Sequence, residues 1–408
     1  MKKVLFLALI LLLVFPNSSS AVSIKSTKTL FELPYLTNDQ VKDVLLKNQN
    51  IFLVGTTESS SSTWIPGQLN GLSDGFITSY SASGIQNWSI RLGSEGNEIA
   101  TALAADQDGS IWVVGASNTF SPQAVPINPP NVLNPDNVPI TPIPQTPTPI
   151  NKIKIWQVSS TGVIINSFEY STDTVVLPNK IFVANGNLVI FGNIFDKSLT
   201  KGFYLSSSKI GVFSGITKIG SKFTQINSAI INKDFSFTVV GSSSDQILKA
   251  KPIGKVDAIT LRISDLGLVQ QVARATLKST SRSWDSIDSG LFQGGRVIYS
   301  NRSEAAITKF SALSKPVWNV RYLSRSSALV AVGKNSWASF ISTGVIKGIP
   351  KWKPKVATPV VLEFGKKGEI ISSYTLSAPA VAIDTDVENG TVLITDSGKS
   401  FGLVLINQ

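Results

Sequence analysis

The chain has 408 residues, no cysteine, no histidine and a formal net charge of +11. That composition excludes a Ser-His-Asp triad, a cysteine nucleophile, the usual His/Cys zinc and copper sites, covalent haem attachment and disulfide bracing. Stability must come from a packed core, which a chain of this length is long enough to build.

Lys2 and Lys3 precede an apolar run over 4–15 that ends at Pro16 and Asn17, and Ser19-Ser20-Ala21 supplies small residues beyond it. This is the pattern of a secretory signal peptide over 1–21, with cleavage expected after Ala21, because a run of about a dozen apolar residues falls short of a membrane span. No later stretch is long and apolar enough to cross a bilayer. The mature chain is therefore expected to be secreted or held at the cell envelope without a transmembrane span. Loss of Lys2 and Lys3 takes the net charge from +11 to +9, an excess that suits anionic partners.

From residue 41 onward one phrase returns seven times, and its strands can be lettered a, b, c and d. The first a strand runs over 41–47. The b strands are expected at 51–55, 110–115, 188–192, 236–241, 296–300, 337–342 and 391–395. Asp108-Gly109, Asn185-Gly186, Gly294-Gly295 and Asn389-Gly390 precede them and read as tight a–b hairpin turns. The c strands are clearest at 75–81, 258–264 and 306–311, with weaker copies at 153–159, 202–208, 359–365 and 401–407. Many alternate apolar and polar residues, as strands with one buried face do. Polar turns at Gly84, Gly162, Gly211, Gly267, Ser314 and Gly368 then lead to d strands at 88–92, 164–170, 212–219, 269–276, 317–323 and 370–376.

The seventh copy ends at Gln408 with no d strand, whereas 28–36 forms a spare strand at the start. The expected fold is thus all-β, a single domain over 22–408: a seven-bladed β-propeller of four-stranded blades, its last blade closed by the N-terminal strand. Pro34 suits that outermost position, where a donor can be spared.

Large insertions fall between b and c, at 56–73, 116–151, 242–255 and 343–355, on one face of the ring. Insertions gathered on one face of a rigid scaffold point to a binding surface. The second contains a Pro-rich loop at 117–150, with ten of the twenty prolines, and is expected to be extended. The third carries Lys249, Lys251 and Lys255; the fourth carries Lys347, Lys351, Trp352, Lys353 and Lys355; Trp64 sits in the first. Lysines interleaved with tryptophan suit an anionic sugar polymer, since charge attracts it and an indole face stacks on a pyranose ring. The expected ligand-binding set is therefore Trp64, Lys249, Lys251, Lys347, Lys351, Trp352 and Lys353. Trp88, Trp112, Trp156, Trp318 and Trp337 lie in strands and are expected to pack between blades.

The run Val54-Gly55, Asp74-Gly-Phe-Ile, Ser83-Gly84, Asn87-Trp88, Leu92-Gly93-Ser94-Glu95-Gly96-Asn97, Ala104-Ala-Asp106 and Gly109-Ser-Ile-Trp-Val-Val-Gly115 resembles the bacterial SBBP-type β-propeller repeat. The likeness covers about one unit, 51–116. It implies an exported propeller and carries over no catalytic residue.

Neither a catalytic motif nor a metal or cofactor site is expected. Asp106 and Asp108, and Asp384, Asp386 and Glu388, resemble fragments of calcium loops but stand where a–b turns require Asp and Gly. Ser206-Ser-Ser-Lys209 has Ser-x-x-Lys spacing inside a strand rather than at a helix start. The expectation is a monomeric, non-catalytic binding scaffold whose partner is an anionic glycan, a cell-wall polymer or another envelope protein, and not nucleic acid. The alternative is a glycosidase or lyase using carboxylates or Lys/Tyr at the central channel, which would require two carboxylates to converge there.

Overall fold

The structure, a computed structural model, describes residues 22–35, 38–118 and 149–406. The expected signal peptide and most of the Pro-rich loop lie outside the described residues. Every regular element within them is a strand, and seven antiparallel sheets of a, b, c and d strands follow one another along the chain. The inner a strands are Gln40–Lys47, Glu98–Ala105, Val175–Ala184, Thr224–Ile231, Ser281–Asp288, Leu329–Val332 and Ala380–Asp386. They ring a central channel, and the fold is the seven-bladed β-propeller.

A β-bulge explains the glycine near the end of most b strands. In six inner strands the register skips one residue, at Lys42, Thr101, Asn179, Asn227, Asp285 and Val381. The bulge pushes the preceding carbonyl toward the neighbouring strand. Opposite it in five blades stand Gly55, Gly115, Gly192, Gly241 and Gly295, where a Cβ would overlap the carbonyl oxygens of Gln40, Ile99, Leu177, Gln225 and Ser283. This corrects one expectation. Gly294 and Gly295 lie inside the b strand Phe292–Tyr299, and the hairpin turn falls at 289–291. Close approach, not turn geometry, demands glycine there.

The c–d turns share a second device. Ser81, Ser159, Ser208, Ser264 and Ser311 each accept a bond on Oγ from the N–H four residues on, at 3.0–3.3 Å. The fourth turn residue is left-handed in all six turns, including Ser314 with φ 57°. Gly162 lies under the ring of Trp88, Gly211 under Phe168, Gly267 under Tyr204 and Gly368 under Trp318, so a Cβ would collide with each ring.

Ring closure follows the expected course. Thr29–Pro34 pairs antiparallel with Ser400–Ile406 as the outer strand of blade 7. Phe31 then covers Gly84 of blade 1 as Trp88 covers Gly162 of blade 2. The two residues Lys25–Ser26 add, in parallel, a fifth strand to blade 6. One N-terminal segment thus fastens two blades. So short a polar pair carries no periodicity by which to be recognised.

Seven buried apolar clusters fill the seven joints between neighbouring blades, the last uniting blades 7 and 1. Trp112, Trp156 and Trp337 are buried in these joints, as is Trp284, while Trp88 and Trp318 are half-buried against them.

Candidate functional site

The b–c connections are long in blades 1, 2, 4 and 6, at 58–73, 118–151, 244–256 and 343–357, and emerge on the same face as the d–a links between blades. An ion pair roots this face. In blades 1 and 4 the first residue of strand c, and in blade 5 the third, is an acid held by an arginine on strand d: Asp74–Arg91, Asp257–Arg274 and Glu304–Arg321, each 3.4 Å. Blade 2 reverses the signs, with Lys152–Glu169 at 2.8 Å. The partner on d lies opposite the residue two places past its mate on c, so both side chains share one sheet face.

In blades 1 and 4 the loop wraps the buried guanidinium. Arg91 donates to the carbonyls of Ser59 (2.6 Å) and Pro66 (3.1 Å), and Arg274 to those of Asp245 and Ala250. Asp257 also accepts from the N–H groups of Ile253 (2.9 Å) and Gly254 (2.8 Å). Burial alone would raise the Asp257 carboxyl, but the nearby Thr276 hydroxyl, these backbone bonds and the Arg274 charge hold it below its ordinary value. Asp74 accepts from Asn70 N–H (3.1 Å), its Oδ1 has no hydrogen-bond partner, and burial raises its carboxyl. The blade 6 loop has no such pair; Ile346 and Ile349 are buried beneath it.

The expected site residues divide. Lys249, Lys251, Lys347, Lys351 and Lys353 are all exposed on this face. Trp352 is half-buried, packed on the joint of blades 5 and 6, with Nε1 donating to Ser342 Oγ at 3.2 Å. Trp64 requires a correction. It is 5% exposed, stands edge-on to Phe76 and Phe401 at 5.1 and 6.2 Å, and donates to the Pro34 carbonyl at 3.0 Å. The blade 1 loop folds back over the closing strand, so this indole locks the ring and offers no face to solvent.

Two further cations that the sequence analysis did not single out, Lys278 and Arg325, stand in the d–a links, where neither an insertion nor a repeat marks them. With Lys249, Lys251, Lys255, Lys347, Lys351, Lys353 and Lys355 they make nine exposed cations across blades 4 to 6. Among the described residues none of the nine forms an ion pair. The acids at this end of the same blades, Asp245, Asp257 and Glu304, are buried and already bonded. Cations face water here and anions do not.

A second charged group lies in the channel. Lys180 of blade 3 reaches Asp43 of blade 1 at 3.1 Å, and with Asp288 and Asp384 they line one cavity of 1590 Å³. Asp384 accepts from Leu46 N–H and Asp288 from Val332 N–H, both at 2.7 Å. Each carboxylate thereby satisfies the free inner edge of the next blade. Part of Asp384 is open to the channel, yet blade atoms crowd it, and burial, with Asp288 and Asp43 repelling, pushes its carboxyl up to about 7. Burial works to lower Lys180, but Asp43, Asp384 and Asp288 outweigh it and hold Lys180 above its ordinary value.

Among the described residues no group of three or more acids is placed to hold a metal ion. Asp108 and Asp386 accept bonds within their own a–b turns, from Ser110 N–H (2.9 Å) and Glu388 N–H (2.8 Å). Lys209 of the Ser-x-x-Lys run pairs with Asp106 at 2.6 Å.

No family model matches the chain, and no curated protein matches it in sequence. Among solved structures it is similar to a polysaccharide lyase, at 10% identity over 95% of this chain and 99% of that one, with a TM-score of 0.48. It is similar also to a glucose dehydrogenase (6% identity, 75% and 96% covered, TM-score 0.43) and to a protein of unknown function from Bacteroides caccae (10%, 85% and 85%, 0.37). At these identities neither an activity nor a site residue transfers, and the fold rests on the strand pairing of the chain itself.

Proposed function

We propose that the chain is an exported, non-catalytic propeller that holds an anionic polymer, an acidic glycan or cell-wall polymer, across blades 4 to 6 on the face of the b–c loops. This matches the exported character of the SBBP-type repeats that residues 51–116 resemble. The observation that carries it is the separation of charge: nine surface cations with no ion pair among the described residues, and the local acids buried beneath them. Such an arc attracts a polyanion from a distance and contacts several of its charges at once. The mature chain should bind an acidic polysaccharide more tightly at low salt than at ~0.3 M salt, because the charges are solvent-exposed and screened. Changing Lys249, Lys251, Lys347, Lys351 and Lys353 to Gln should abolish that binding while leaving Tm unchanged. Salt-insensitive binding, or binding that survives the five changes, would refute the assignment.

A second reading, catalysis at the channel, is favoured by the convergence of Asp43, Asp288, Asp384 and Lys180. It ranks lower because two of these carboxylates already hold backbone amides and the third holds Lys180. Cleavage of a polysaccharide by the unaltered chain, lost in Asp384→Asn, would reverse the ranking.

A further inference from the structure

The joint between blades 4 and 5 departs from the others in a way that opens a cavity. Strand d places Trp88 in blade 1 and Trp318 in blade 5 opposite Ser79 and Lys309, each five residues past the paired acid of strand c, and each ring covers the glycine of the next blade's c–d turn. At that position blade 4 has Gln271, opposite Arg262. The turn it should cover has Ser314 where the others have glycine, although its φ is 57°. The missing ring and the tolerated Cβ describe the same gap. There a cleft of 1610 Å³ follows the outer strand Val269–Ala275, and Trp284, Phe310, Ala273 and Leu313 are among its walls. Leu248 and Leu313 stand 55% and 80% exposed at its rim. Seven strand residues span ~20 Å at ~3.3 Å each, so the apolar trough is long as well as deep.

Charge at the rim selects among ligands. Asp234 is paired with Arg262, whereas Lys249, beside Leu248 at the b–c end, has no ion pair and begins the basic arc. We propose that this cleft binds a single-chain anionic amphiphile, its alkyl chain lying between blades 4 and 5 and its anionic head at Lys249. The cleft is apolar enough to hold a chain, and Lys249, which lines it, gives an anionic head a cation with no ion pair among the described residues. This site shares Lys249 with the polyanion arc but differs from it in needing the cleft.

Palmitate, decanoate and methyl palmitate would be tested as displacers of a fluorescent anilinonaphthalene sulfonate from the mature chain. Palmitate should displace the dye at least about tenfold more tightly than decanoate, since the longer chain buries more apolar surface. Gln271→Trp should fill the cleft as Trp88 and Trp318 fill theirs and weaken palmitate about tenfold or more, with Tm and polyanion binding retained. Lys249→Ala should weaken palmitate several-fold and leave the methyl ester unchanged. Should Gln271→Trp fail to fold, Ala273→Leu, on the same strand face, must give the same loss. Failure of the unaltered chain to bind palmitate, or equal affinity in the filled variants, would overturn the site. Polyanion binding that persists in either case leaves the arc standing.

Discussion

Blades 1 and 4 are built alike and finished differently. Both have the bulge with its facing glycine, the Ser-x-x-Gly turn and a buried Asp–Arg pair that roots a long b–c loop. Blade 1 then closes on itself: its loop buries Trp64 and Ile65 against the N-terminal strand, and Trp88 seals the flank. Blade 4 buries Ile247 alone among the apolar residues of its loop, exposes Lys249, Lys251 and Lys255, and leaves its flank open at Gln271. Positions that touch the backbone of a neighbouring strand repeat because the ring geometry leaves no choice. Positions on flanks and loop tips carry the difference, and the candidate sites lie there.

The comparison can be broken at four points. The largest effect should come from Trp64→Ala, which removes a buried indole at the ring closure and should lower stability by ~4 kcal/mol in denaturant unfolding. Ile247→Ala should cost less, ~2 kcal/mol, because less buried surface is lost. Arg91→Met and Arg274→Met each leave a buried acid without its cation and should cost ~3 kcal/mol, similar in the two blades. Unequal losses would mean that the two pairs are not the same device. Trp88→Gln should open the joint of blades 1 and 2, lower stability by ~2 kcal/mol and admit a dye there, as the blade 4 cleft is expected to do.

The smallest effect separates the two acids by sign. Asp257 lies below its ordinary value, so its contribution is present above roughly pH 4 and lost as pH falls through its folded value. Asp74 is raised, so its contribution is full below roughly pH 4 and lost as pH rises through its folded value. Hydrogen exchange at acid pH should therefore loosen 244–256 while 58–73 stays protected. Equal loosening of both loops would show that the environments of the two acids do not differ as described.

Much of the frame was legible in the residues. The Ser-x-x-Gly turns, the b strands and the strand that closes blade 7 all follow from local rules, since hairpins and alternation are short-range properties. The acid–Arg pairs are legible too, in their spacing: Asp74 and Arg91, Asp257 and Arg274, and Glu304 and Arg321 are each 17 residues apart. Trp64 was misassigned for the opposite reason. A loop tryptophan looks exposed until a distant strand, here Thr29–Pro34, is known to lie beneath it.

By itself the sequence determined the number of blades, the order of their strands and the face that carries the insertions, because each is written in contacts a few residues apart. Only the tertiary structure decided which aromatic seals which joint, that acids under blades 4 to 6 are buried while the cations are not, and that Asp43, Lys180, Asp288 and Asp384 meet in one channel. Those four come from blades 1, 3, 5 and 7, and nothing local links them. Curvature of the ring brings them together, and that curvature is a property of all seven joints at once.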